Sequence, residues 1–144
     1  MIGTKETAVT ETRGLTVELA DGDGANILAT LLKKHIEDIV AADPAKARQA
    51  AAIHGKLGLH STEPEASVTV LFHDGGVRIK NDIDADADGT ITGPLKLQTE
   101  TLAGIANPYA AMLRGRLKTG VRWSRPLFTL QTYRFLKVPK SMLP

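Results

Sequence analysis

Three aspartates two residues apart, Asp84, Asp86 and Asp88, run into Gly89 and Ile91. They match the first, third, fifth, sixth and eighth positions of a calcium-binding loop. Such a loop also needs a bidentate acid at its twelfth position. Leu95 stands there, just after Pro94, so the stretch reads as a solvated acidic connection entering a strand. The histidines His35, His54, His60 and His73 show no metal-ligand spacing, and no acid lies between His54 and His60. A zinc site needs three or four converging ligands, so no metal is expected. Ser61, Ser67, Ser124 and Ser141 lie outside any G-x-S-x-G elbow. Gly22-Asp23-Gly24 lacks the third glycine of a dinucleotide fingerprint, and no phosphate loop is present. The chain has no cysteine, which excludes disulfides, thiolate metal sites and a cysteine nucleophile. No catalytic residue and no cofactor are expected, and the chain does not read as an enzyme.

Charge is uneven along the sequence. Residues 1–100 hold all 16 acids and 10 Lys/Arg, a balance of −6, while residues 101–144 hold 8 Lys/Arg and no acid. Arg114, Arg116 and Lys118 alternate, so on a strand they would share one face, as a phosphate-binding row does. Trp123, Phe128, Tyr133 and Phe135 follow, but the last three fall on a predicted helix and read as core aromatics rather than stacking platforms. Nucleic acid is therefore not an expected partner. The two halves are expected to fold together and mix their charges across one surface.

The elements that would position these groups fit one domain in 144 residues, taken as 14–144 after a flexible tail at 1–13. Leu15, Val17 and Leu19 alternate with polar residues as in a strand. Leu28, Leu31, Leu32, Ile36 and Ile39 recur at helical spacing, predicting a helix over 25–40. Asp43-Pro44 stops it and starts a second helix over 45–53. Period two then predicts strands over 57–60, 68–73 and 77–80, with Asp74-Gly75-Gly76 as a tight hairpin turn. Further strands are expected at 89–92 and 115–121. Helices are expected at 95–102 and, capped by Ser124, at 125–136. Residues 101–113 are uncharged and must be buried or line something apolar. The class is α+β: about five strands in a mostly antiparallel sheet, clustered mid-chain with helices flanking them. No run of roughly 18–20 apolar residues exists to span a bilayer. The polar, Thr-rich start lacks the apolar middle of a signal peptide, so the expected location is cytoplasmic.

The stretch LAGIANPYAAMLRGRLKTG at 102–120 resembles a segment of the sterol carrier protein type 2 family. Leu102, Gly104, Pro108, Ala111, Gly115, Leu117 and Lys118 carry the likeness. The hairpin LFHDGGVRI, the strand opening Asp88-Gly89-Thr90-Ile91 and the closing PLFTLQTYRFL are also similar to that family. The resemblance covers about 68–136, roughly half the chain.

It implies a sterol-carrier-like α+β domain, its sheet covered on one side by helices with an apolar tunnel between them, binding or transferring a sterol, fatty acid or acyl-CoA type of lipid without covalent chemistry. The small residues Ala103, Gly104, Ala106, Ala110 and Ala111 are expected to hold that hollow open. Leu102, Ile105, Tyr109, Met112, Leu113, Phe128 and Phe135 are its expected walls, with Arg114 and Arg122 meeting an anionic head group or membrane. The partners expected are a hydrophobic small molecule or lipid and, transiently, an anionic membrane. The rival reading is a closed-core interaction or accessory module serving an enzyme of lipid or quinone metabolism.

Overall fold

The computed structural model describes residues 8–142. Its strands are β1 (Ala8–Thr12), β2 (Leu15–Leu19), β3 (Gly55–Thr62), β4 (Glu65–His73), β5 (Gly76–Asn81), β6 (Gly89–Gly93) and β7 (Lys118–Val121). Its α-helices are α1 (Ile27–Ala42), α2 (Ala45–Ala51), α3 (Leu95–Leu102), α4 (Pro108–Leu113) and α5 (Phe128–Leu136). The seven strands form one mixed sheet in the order β1-β2-β5-β4-β3-β6-β7.

This corrects the expectation of about five mostly antiparallel strands. β2 runs parallel to β5 and β3 parallel to β6, because neither pair is joined by a hairpin: α1, α2, β3 and β4 intervene in the first, and β4, β5 and the 82–88 connection in the second. Alternation reveals which face a side chain takes, but not which strand lies beside it. The flexible tail is also corrected over part of its length, since residues 8–12 form β1 against β2. Arg13 and Gly14, at φ 49° and 84°, make the turn between them, and Arg13 binds the Ala41 carbonyl near the end of α1 at 3.0 Å. β1 is an edge strand held by backbone pairing, with Val9 exposed, so it shows little apolar pattern. Residues 1–7 of that tail lie outside the described residues.

Register carries one face of the sheet intact across its strands. Val17, Val77, Phe72 and Gly55 are linked in pairs, as are Leu19, Ile79, Val70, Leu57 and Gly89. The same parity places Leu59, Ile91 and Thr119 side by side on this face. α1 and α2 cover the part over β2, β5 and β4, while α5 lies over β6 and β7 and reaches β4 through Phe135. α1 buries Leu28, Ala29, Leu32, Ile36, Ile39 and Val40, the face the helical spacing predicts apart from Leu31, which is exposed. Asn26 caps it, accepting the Ala29 amide at 2.9 Å. Asp43 does the same for α2 through the Ala45 amide.

α5 is shorter than predicted because 124–127 turn before it rather than joining it; Ser124 does not cap it. Phe128 and Phe135 drive it onto the sheet, and Phe135 meets Phe72 edge to face at 5.7 Å. Its last carbonyls are capped from other helices. His35 on α1 reaches the Leu136 carbonyl at 2.6 Å, and the Lys46 ammonium on α2 donates to the Arg134 carbonyl at 2.7 Å. A donor at a helix C-terminus satisfies an orphan carbonyl and opposes the helix dipole. No described helix is long and apolar enough to cross a membrane.

Two outcomes follow from this packing. Phe135→Ala removes a fully buried ring and is expected to lower unfolding free energy by about 3–5 kcal/mol in urea titration. Burial holds the His35 imidazole below its ordinary pKa, more strongly than the Leu136 carbonyl and Asp38 raise it. The unfolded chain therefore takes up a proton on His35 near the ordinary imidazole value of 6.5, before the native state does, and stability falls as pH drops below that value. Between about pH 7 and about pH 5, the wild type should lose more stability than His35→Gln, measured in parallel urea titrations.

Candidate functional site

β6 carries a glycine at each end and Ile91 at its middle. A Cβ on Gly89 would lie 2.6 Å from Thr129 Cγ2 and 3.1 Å from Phe128, so α5 presses against the sheet there. A Cβ on Gly93 would lie 3.0 Å from Leu117 Cδ1, so the chain after α4 presses down at the other end. Between the two contacts the covering elements stand off the sheet.

They leave a cavity of about 150 Å³. Its floor is Leu59, Ile91 and Thr119 on β3, β6 and β7. α3 contributes Gln98, Thr101 and Leu102, and α4 contributes Pro108, Tyr109 and Met112. Leu117 closes one end, and Thr129, Leu130, Tyr133 and Leu136 of α5 form the far wall.

Three of the polar lining side chains, Gln98, Thr101 and Tyr133, have partners within the protein. The Gln98 amide donates to the His60 and Gly93 carbonyls, both at 2.9 Å, and Thr101 Oγ1 donates to the Gln98 carbonyl at 2.8 Å. The Tyr133 hydroxyl donates to the Thr101 carbonyl at 3.4 Å, and burial pushes its pKa up, keeping the phenol neutral. No carboxylate, histidine or cation is among the lining residues. The cavity can shelter hydrocarbon; its walls offer no nucleophile with a base.

The structure brings Leu102, Tyr109 and Met112 of the expected walls together here. The others stand elsewhere. Phe128 and Phe135 lie in the main core, because α5 has two apolar faces and its bulkier one points inward, Phe128 by Gly55 and Gly89 and Phe135 against Phe72 of β4. Ile105 is 77% exposed, and Leu113 is 90% exposed on the outer side of α4. Arg114 is exposed and away from the cavity. Arg122 stands by Asp88 at 3.8 Å and reaches the Asp86 carbonyl at 3.4 Å.

The idea that small residues in 103–111 hold the hollow open is also corrected, since none of them lines it. Gly104, at φ 78°, turns the chain after α3 with nothing near its Cβ position, and Ala111 packs with Leu97 and Leu117 in a minor core. The space arises where Gly89 and Gly93 let the cover touch down at two points. The floor residues were missed, although strand parity already put Leu59 and Ile91 on the helix side.

The alternating basic row does not form either. Arg114 and Arg116 lie in turns ahead of β7, and only Lys118 is on the strand. The acidic stretch has cationic company: Asp84 meets Lys80 at 2.6 Å and Lys56 at 3.1 Å, and Asp86 meets Lys56 at 3.1 Å. These lysines hold the Asp84 carboxyl below its usual pKa. Asp88 turns inward to accept the Lys56 amide at 2.8 Å.

A groove on the outer side shares Pro108, Tyr109, Leu130 and Tyr133 with the cavity and adds Arg134 and Lys137. These two cations, rather than Arg114 and Arg122, stand beside the cavity's outer wall.

Residues 34–119 match the SCP-2 sterol transfer family. No curated protein matches the chain in sequence. Among solved structures, sterol carrier protein domain 2 of Helicoverpa armigera superposes with a TM-score of 0.56 at 15% identity, over 75% of this chain and 86% of that one. A ubiquinone synthesis protein, UbiJ-SCP2, gives 0.55 at 13% identity, over 76% and 85%. A stereoselective inverting sec-alkylsulfatase from Pseudomonas sp. gives 0.55 at 11% identity over 72% of this chain, which spans only 15% of that enzyme's length. At these identities the structural likeness concerns the fold. The family match covers more than half of the sequence, and the chain belongs to the SCP-2 sterol transfer family.

The contact of α5 with Gly89 that frames one end of the cavity can be tested. Gly89→Ala should destabilise the protein by about 1–3 kcal/mol through overpacking. Adding Thr129→Ser, which removes the opposing Cγ2, should restore part of that loss in the same urea titration.

Proposed function

We propose that this chain binds the hydrocarbon part of a lipid in the cavity between α3, α4, α5 and the sheet, as a carrier without covalent chemistry. The observation that supports this most is an apolar cavity with no charged side chain in its lining, in a member of a sterol transfer family. Burial of each methylene contributes about 0.8 kcal/mol, so a chain binds by burial alone.

Size favours a slender ligand. A cavity near 150 Å³ is the volume that holds a benzene-sized group, whereas pockets for larger ligands run to roughly 300–1,000 Å³. A fatty acyl chain threads part of its length into such a space. A sterol ring system requires the cover to move, and α4 is the wall suited to moving: it has six residues, of which only Ala111 is buried. Arg134 and Lys137 in the adjoining groove are the cations placed to meet a carboxylate or phosphate head while its tail lies within.

The test is thermal unfolding with a saturating straight-chain fatty acid and, separately, cholesterol. Binding at a hundred times Kd adds about 2.7 kcal/mol to native stability, so Tm should rise with the fatty acid. Ile91→Phe fills the floor and should abolish the rise while the protein stays folded. A Tm that neither ligand raises, or an Ile91→Phe protein that responds like the wild type, contradicts the proposal and favours the closed-core accessory module.

A further inference from the structure

We propose that residues 112–127, along the free edge of the sheet, form a docking surface for anionic lipid bilayers. β7 ends the strand order, and all of its residues are exposed. Apart from Leu117 and Arg125, every residue from 112 to 127 is exposed. The four-residue strand β7 spans about 13 Å, and apolar side chains stand out beyond both of its ends. Leu113 precedes it, 90% exposed; Trp123 and Leu127 follow it, 98% and 65% exposed.

Arg114, Arg116, Lys118, Arg122 and Arg125 are interleaved with these apolar tips, and the segment contains no acid. Arg122 and Arg125 share Asp88 at 3.8 and 3.7 Å. Arg114, Arg116 and Lys118 have no acidic partner among the described residues. An exposed indole on the same edge as three cations without an acidic partner suits one environment well: the ring settles at head-group level and the cations meet lipid phosphates. The other occupants fit less well. A second copy pairing along β7 would use a short edge carrying Lys118 and Gly120, features that discourage edge-to-edge pairing. Single-stranded nucleic acid would want several stacking rings, and Trp123 is the only aromatic residue in the segment.

The surface also adjoins the cavity, because Met112, Leu117 and Thr119 of the same segment line it. A docked bilayer therefore meets the cavity's rim. The docking itself does not depend on a ligand being bound, so it is tested separately from the carrier reading.

The chain has a single tryptophan, so its fluorescence reports on Trp123 alone. The full chain is titrated with vesicles of phosphatidylcholine mixed with phosphatidylserine, and with vesicles of phosphatidylcholine alone. The emission should shift to shorter wavelength with the first and stay unchanged with the second, and high salt should reverse the shift. Replacing Arg114, Arg116 and Lys118 by alanine should weaken vesicle partitioning about fivefold for each cation removed. Leu113→Ser should weaken it as well, and both variants should melt at the wild-type temperature because these side chains are exposed. The proposal is overturned by no shift on anionic vesicles, by an equal shift on neutral ones, or by partitioning that the variants leave intact. A shift that follows protein concentration alone, or that a single-stranded oligonucleotide produces and vesicles do not, overturns it too.

Discussion

Helix α5 must satisfy two surroundings at once. One side carries Phe128 and Phe135 into the core, and the other presents Thr129, Leu130 and Tyr133 to the cavity. The core side wins the larger share of burial, and the edge-to-face contact of Phe135 with Phe72 adds about 0.5–1.5 kcal/mol beyond area. His35 and Lys46 then hold the helix's final carbonyls from α1 and α2. Burial lowers the pKa of the Lys46 ammonium, offset in part by Asp43, so this clamp is formed at some electrostatic cost. A helix fixed by its core face and its end cannot slide down to fill the space on its other side. That is why a cavity survives in a domain this small.

The sheet sets the height of the opposite wall. Gly89 and Gly93 give α5 and Leu117 their points of contact, and Ile91 lies between them as the floor. α4 is held more lightly. It rests on Ala111, whose carbonyl accepts the Arg116 and Leu117 amides at 2.9 and 3.2 Å, and its apolar residues Tyr109 and Leu113 remain largely exposed. The cavity thus has a side packed into the core, formed by α5 and the strands, and a lightly packed side, formed by α4. Such an arrangement suits a carrier that must take up and release a chain. The lightly held side also borders the basic, apolar-tipped edge.

Much of the frame was legible in the residues. Helical spacing located α1, period two located β3, β4 and β5, and Asp74-Gly75 marked a turn in which both residues take positive φ, 46° and 75°. The family likeness was carried by 102–120, within which α4 and β7 lie. What could not be read has physical causes. Parallel pairing depends on crossovers that leave no local pattern. β1 is held by backbone bonds, which any side chains permit. α5 has apolar residues on two faces, and only the assembled neighbours decide that Phe135 packs in the core while Leu130 and Tyr133 face the cavity. In residues 103–111 small side chains looked like makers of space, but they lie at a turn and on a short, mostly exposed helix.

The central claim is that hydrocarbon enters between α5 and the floor of β3, β6 and β7, and nowhere else. Methyl NMR during titration with a straight-chain fatty acid tests it most directly. The methyl signals of Leu59, Ile91, Leu102, Met112 and Leu130 are predicted to move together, while those of Val17, Ile36 and Val70 in the main core stay in place. Shifts centred on Val17, Ile36 and Val70, or no shifts at saturating fatty acid, would contradict the account.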